Sequence, residues 1–399
     1  MNRAAFATLG LLLLAGCASV DPKPSFDSVA DIVTARSGVE AAWPRTATEE
    51  DAAEQAAERL LAGPLDDRAA AQIALLRNRE LLAEIEELGI ARADYAQATR
   101  IANPGLHAFR RTPNEGSGTN VEWTIVQDVL DVLVQPARKR LAAVELEAAE
   151  LRLGQTMLDL VAEARIAFFE LVAGEETSDR AVIVHDLTAA AAELARRQRD
   201  AGNLEVREVA LFEAADAQAL VDLTRAQLDE GEARERLNVL LGLSGSATDW
   251  KASLHLRPLP AADPDPAGLE RRAIEQRLDI GAARFGVDLV GRALALKRGT
   301  RFFPVGIEVG LNQEKDTDGT RLRGPQLAIA LPIFDTGAAS IARLEAEQRR
   351  AQRQLEQLAI EIRSEVRLAR DRLIGSRALV ETHEGTLLPK RREVLEQTL

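Results

Sequence analysis

Aromatic residues are scarce, at 4% of the chain, although globular cores rely on them because each buries a large area. Cysteine occurs once, as Cys17, which excludes any internal disulfide. There is no basic excess: the formal net charge of −13 argues against a nucleic-acid-binding surface. Beyond the N-terminus no run of about 18 consecutive apolar residues occurs, so no helix of the mature chain is expected to span a bilayer. His107, His185, His255 and His383 lie too far apart for a local metal motif. No phosphate-cradling glycine loop or nucleophile elbow is present; Gly242-Leu243-Ser244-Gly245 reads as a helix terminator. Together these shortages argue against an enzyme and give no reason to expect a cofactor or resident metal.

What is abundant is Ala, Leu, Glu, Arg and Gln, the residues that favour long packed helices. At the N-terminus Arg3 precedes an apolar run that ends in Leu14-Ala15-Gly16-Cys17. A positive start, a short apolar stretch and small residues before the cysteine read as a secretory signal over residues 1–16. The tetrapeptide resembles the lipobox of bacterial lipoproteins, which implies cleavage before Cys17 and a lipid on its thiol. Ala18, where inner-membrane lipoproteins usually carry Asp, points to the outer membrane. Pro22, Pro24 and Pro44 make residues 17–49 read as an extended, lipid-anchored tether.

The remainder divides into two similar halves. In the first, residues 50–242, a short helix over 50–61 is followed by a longer one from Asp66 or Asp67 to about Ile101. Strands are expected within 105–134, around the loop at residues 113–118. A long helix over 137–200 follows, with no proline, only Gly154 and Gly174, and apolar residues three and four apart. It would measure roughly 95 Å at 1.5 Å per residue. Ala201-Gly202-Asn203 forms a tight turn into a return helix, 204–241. After a linker at 243–268 the order restarts over 269–399, with a helix to about Leu296, strands within 302–333 and a long helix over 337–399. Pro104 aligns with Pro304, and Glu163-Ala164-Arg165 with Glu365-Val366-Arg367. The chain is internally duplicated with a period of about 200 residues.

The second-half strands alternate. Phe303, Val305, Ile307, Val309 and Leu311 share one face, with Pro304, Gly306, Glu308, Gly310 and Asn312 on the other. Leu327, Ile329, Leu331 and Ile333 are likewise opposed by Gln326, Ala328, Ala330 and Pro332. A half-buried soluble strand has the same period. These strands, however, are about 9–11 residues long, enough to cross a bilayer, and their neighbouring helices are too polar to cover an apolar sheet. Four strands cannot close a barrel, and open edges in lipid leave backbone groups unpaired. Sister copies must complete the sheet: two would give eight strands and three twelve. Trp123 suits an interfacial position near the loop end.

The stretch from Gly324 through Pro325, Gln326, Leu327, Ala328, Ile329, Ala330, Leu331, Pro332, Ile333, Phe334, Asp335 and Thr336 to Gly337 resembles the strand-to-helix junction of the outer membrane efflux protein (TolC) family. Asn103-Pro104, Ala201-Gly202-Asn203 and the closing run from Leu237 to Leu243 support the resemblance, which covers residues 67–399. It implies a mainly α fold with a small β component: duplicated long-helix hairpins and four transmembrane strands per protomer. These would join a shared trimeric β-barrel and an α-helical tunnel. It also implies a passive outer-membrane duct of a tripartite efflux or type I secretion system, exporting small molecules, metal ions or peptides. The implied partners are a periplasmic adaptor and an inner-membrane pump. On this resemblance Arg199, Gly202, Asn203 and Leu204 form an adaptor-contacting tip, and Glu308 and Asn312 face the barrel lumen. Pro332, Phe334, Asp335 and Gly337 make the junction. The second repeat reads as lacking its last helix, the counterpart of 204–241. A lipid-tethered periplasmic adaptor or structural coiled coil would share the lipobox and long hairpins, but it leaves the duplicated strand pairs without a role.

Overall fold

The computed structural model describes residues 20–114, 118–253, 267–302, 306–331 and 333–398. The chain falls into two compact units. One combines Met1–Pro22, Leu88–Arg152 and Asp263–Leu399, the other Lys23–Glu87 and Leu153–Ala262. Neither unit coincides with one sequence repeat, because each draws segments from separate parts of the chain.

The first unit is built around a sheet shared by the two halves. Strands β1 (Gly105–Arg111), β2 (Asn120–Asp128), β3 (Ile307–Lys315) and β4 (Arg321–Ile329) run antiparallel in the order β1-β2-β3-β4. The halves join where β2 pairs with β3, from Val121↔Lys315 to Asp128↔Glu308. Gly310 permits that close pairing, since a Cβ there would lie 2.6 Å from the Ile125 carbonyl oxygen. The strands are shorter than expected. Ala330 N still donates to the Gly306 carbonyl, but Leu331 and Ile333 lie beyond β4, and Phe303, Pro304, Val305 and Pro332 fall outside the described residues.

Directly after β2 the chain enters the long helix, eight residues earlier than the sequence suggested. The Asp128 carboxylate accepts from the backbone N–H groups of Leu130 and Asp131, which caps the new helix. Pro136 therefore lies inside it. It is the eighth residue of the helix, forfeits one helical hydrogen bond and does not end the helix. Also in this unit, α7 (Leu269–Gln276) and α8 (Leu278–Gly299) lie along α9 (Ala338–Thr382). Arg298–Glu345, Arg277–Glu365 and Arg367–Glu270 ion pairs tie them to it. A single π-helical turn, His383–Leu387, separates α9 from α10 (Leu388–Thr398).

The second unit begins with a correction to the tether. Residues Lys23–Ser37 form helix α1, which buries Phe26, Val29 and Val33 at helical spacing. Pro24 sits in its first turn, where a missing N–H costs nothing. Helix α2 (Ala47–Leu61) starts at a capping box: Thr46 Oγ1 accepts from Glu49 N, and the Glu49 carboxylate accepts from Thr46 N. Asp66 caps α3 (Asp67–Arg77), as expected.

The helix expected to run on to Ile101 is instead broken at Asn78, after which α4 (Arg79–Ala98) begins. Asn78 Oδ1 accepts from Leu81 N, and its Nδ2 donates to the Leu240 carbonyl. The second half repeats the break at Arg277, between α7 and α8, so the period of about 200 residues extends to this detail.

The long helix α5 (Val129–Asp200) enters the second unit at Leu153 and turns into α6 (Val206–Leu241). Ala192, Ala195, Ala219 and Ala226 are buried there, and small side chains let the hairpin helices approach closely. Arg196–Glu213 and Arg236–Glu170 ion pairs bridge the hairpin's exposed flanks. At the far end of α6, Trp250 Nε1 donates to Asn238 Oδ1 at 2.9 Å, and the Arg234 guanidinium stacks 4.8 Å from the Trp250 ring centroid. Arg234 also pairs with Glu175 at 2.7 Å. Burial lifts the Glu175 carboxyl above its usual range, and Arg234 pulls it back.

A two-faced sheet and an exposed helical tip

The register sorts the strand residues onto two faces, because directly paired residues point the same way. On one face the rows run, from the helix end toward the loops, Ile307–Ile329, then Gln127–Val309–Leu327, then Leu106–Ile125–Leu311–Pro325. Apart from the half-buried Ile307 and Gln127, these side chains are exposed although they are overwhelmingly apolar: Leu311 is 68% accessible, Leu106 69% and Leu327 63%. Trp123 occupies the next row with Ala108, Gln313 and Arg323. The last row before the loops is Arg110–Val121–Lys315–Arg321. Past the opposite end, the aromatic rings of Phe302 and Phe334 are exposed, and Arg301 stacks on Phe302. Trp123 was anticipated from sequence; the two phenylalanines lie outside the strands, before β3 and after β4.

The other face carries most of the polar side chains, together with Phe109, Val126, Leu322 and Ala328. Glu308 and Asn312 both lie on it, as expected, but the sequence reading missed their partners across β2. Asn312 Nδ2 donates to Glu122 Oε1 at 2.8 Å and to Thr124 Oγ1 at 2.9 Å. Asn120 Nδ2 donates to Glu314, and Arg111 pairs with Glu122. Two pairs of carboxylates stand directly opposite each other, Glu122 with Glu314 and Asp128 with Glu308. Like charges facing across a ladder are destabilising, so this arrangement is a local cost of the sheet. Only the pairing of strands from different halves creates it, which is why neither half alone announced it.

At the junction Asp335 Oδ1 accepts from Gly337 N at 2.8 Å. Gly337, at φ 72°, stands at the N-cap of α9, so Asp335, Gly337 and the exposed Phe334 are brought together. Pro332, the fourth residue expected there, is outside the described residues, and so is Cys17.

The tip is a Schellman closure: Asn203 N donates to the Gln198 carbonyl and Gly202 N to that of Arg199, with Gly202 at φ 82°. Gly202 and Asn203 are exposed, Leu204 is half-buried, and Arg199 pairs with Asp200 at 2.8 Å. Beside it, hydrogen bonds from Arg196 and then Arg197 hold the Glu193 carboxyl below its usual range. The four expected tip residues thus cluster at one turn. Among the described residues no group of three or more His, Cys, Asp or Glu is placed to hold a metal ion.

No family model matches the chain. It is 26% identical over 337 residues to the cobalt-zinc-cadmium resistance protein CzcC of Cupriavidus metallidurans, covering 83% of this chain and 78% of that protein. Among solved structures it resembles the outer membrane protein VceC of Vibrio cholerae, with a TM-score of 0.65 at 16% identity, covering 86% of this chain and 84% of that one. The Campylobacter jejuni CmeC outer membrane channel gives a TM-score of 0.64 at 15% identity, over 89% and 80% of the two chains. With its duplicated plan, two strand pairs in one sheet and strand-to-helix junction, the chain has the fold of the TolC-type outer membrane channel proteins.

Proposed function

We propose that this chain is the outer-membrane subunit of a tripartite efflux system, a passive duct that does no chemistry of its own. One observation carries the reading. A four-stranded sheet presents an exposed apolar face with Trp123 toward its loop end, while β1 and β4 each have a single strand partner among the described residues. In lipid those edges need partners, and three copies sharing one cylinder supply them with twelve strands. A water-soluble adaptor, the competing reading, gains nothing from an apolar sheet left open to solvent. Cys17 is the residue we assign to lipid anchoring in the outer membrane.

The polar face then lines the pore, and its facing carboxylate pairs favour cations by the same electrostatics as acidic rings in cation channels. CzcC is named for resistance to cobalt, zinc and cadmium, and such cations suit this lining. The purified full-length protein in a planar bilayer should form discrete conducting channels that prefer cations. Replacing Glu122, Glu308 and Glu314 with Gln should shift the reversal potential in a salt gradient toward that of an unselective pore. A correctly assembled protein without conductance would remove the duct reading.

The turn at Arg199, Gly202, Asn203 and Leu204 is the surface we assign to the periplasmic adaptor, which in turn meets an inner-membrane pump. Alanine at Arg199, Asn203 and Leu204 together should lower adaptor affinity at least about tenfold, as measured by co-purification, and leave conductance unchanged. Unchanged co-purification would place the contact elsewhere.

A further inference from the structure

The charged residues on the apolar face of the sheet are unevenly placed. Arg110, Lys315, Arg321 and Arg323 are its four charges; all are cationic, and all lie in the two rows nearest the loops. The opposite face carries the carboxylates Glu122, Asp128, Glu308 and Glu314, with Arg111 paired to Glu122. In a chain with 63 acidic and 50 basic residues, composition does not favour such a one-signed row. All four side chains are exposed, and none has an ion pair or side-chain hydrogen bond among the described residues. The nearby turn carboxylates are engaged locally: Asp316 accepts from Thr317 N, and Asp318 from Thr320 N and Oγ1.

We infer that this row binds the phosphate-bearing headgroups of the outer membrane leaflet, with Trp123 marking the boundary between headgroup and acyl chain. The inference rests on the reading of the apolar face as lipid-facing. Its geometry suits a lipid surface better than a pocket. The cations come from β1, β3 and β4, and strands about 4.8 Å apart spread them into a strip instead of converging them on one ion. Their height suits it too. Two residues of strand rise about 7 Å, so the Arg110 row stands one such step above Trp123, where a headgroup succeeds the interface. Arginine also offers paired donors that match phosphate oxygens. The loops project from this end of the sheet and the helices from the other, which assigns the row to the leaflet away from the periplasm.

The test uses the full-length protein reconstituted into phosphatidylcholine vesicles containing lipid A, a diphosphorylated glycolipid. Lipid retained per subunit is measured after detergent extraction. Wild type should retain lipid A in preference to phosphatidylcholine, and raised salt should weaken the preference. The R110Q/K315Q/R321Q/R323Q variant should retain at least tenfold less, while R111Q, on the other face, should match wild type. If the fourfold variant does not insert, R110Q and R323Q alone should each lower retention about fivefold. Equal retention by the variants, or no preference in wild type, overturns the inference. So does displacement of lipid A by inorganic phosphate, which would indicate a small-anion site. Conductance is recorded on the same preparations. Its absence in wild type defeats the channel reading, whereas normal conductance without lipid preference defeats this inference alone.

Discussion

Arginine introduced together at Leu311 and Leu327 is expected to keep the protein out of the bilayer. Both residues lie in inner rows of the apolar face, more than 60% exposed and on the helix side of Trp123. A cation on the lipid face of a barrel costs about 2–4 kcal/mol at the bilayer midplane and little near the interface. Two therefore cost roughly 4–8 kcal/mol if independent, which shifts insertion by at least about a thousandfold. The control is Gln326→Arg, one residue from Leu327 on the opposite face, which should insert normally. Flotation of the unlipidated Cys17→Ser forms with lipid vesicles on a density gradient reads both variants, since a lipid anchor alone would float the chain. If the double variant floats as wild type does, the apolar face does not meet lipid, and the barrel fails with it.

The second large effect is expected at Gly242, and its size is best judged against Gly202. Both glycines adopt left-handed backbone angles, φ 64° and φ 82°. An added side chain therefore pays about 1–2 kcal/mol at either site. Around Gly202 nothing lies within 4 Å of the new Cβ, so Gly202→Ala should cost only that. At Gly242 the Cβ would stand 2.4 Å from the Arg77 carbonyl oxygen, a backbone atom at the end of α3 that has no rotamer to change. Gly242→Ala should therefore cost at least about 3 kcal/mol, because relief requires moving the α3–α4 break away from the end of α6. Chemical denaturation followed by far-ultraviolet circular dichroism should separate the two variants. Equal midpoints would mean the α3–α6 contact yields easily and contributes little.

The parts of the fold legible in the sequence were those governed by periodicity. Apolar spacing gave the hairpin α5–α6, and alternation in β3 and β4 identified the apolar and polar faces. Gly202 and Gly242 marked helix ends because few other residues accept their backbone angles. What stayed hidden depended on side chains acting locally or across the halves. Asn78 breaks a helix whose apolar pattern continues through it, since its amide holds Leu81 N and the Leu240 carbonyl together. Pro24 and Pro136 were misleading for different reasons: Pro24 lies in the first turn of α1, where proline is tolerated, whereas Pro136 lies inside α5, which runs on past it without that hydrogen bond. Glu122 and Glu314 drew no attention, being 192 positions apart and adjacent only because β2 pairs with β3. The cationic row was hidden likewise, since Arg110 and Lys315 align only through the β2 register.

The outer edges of β1 and β4 carry a further consequence for how the protein must be made. On the duct reading, a newly exported copy offers two edges that have no outer strand partner among the described residues, beside a greasy surface, the combination that recruits stray extended chains into aggregates. Solitude is therefore hazardous for it, and the danger ends only when like finds like. Its manufacture should consequently depend on escorts during transit and respond steeply to synthesis rate, with sparse production yielding casualties out of proportion to the shortfall.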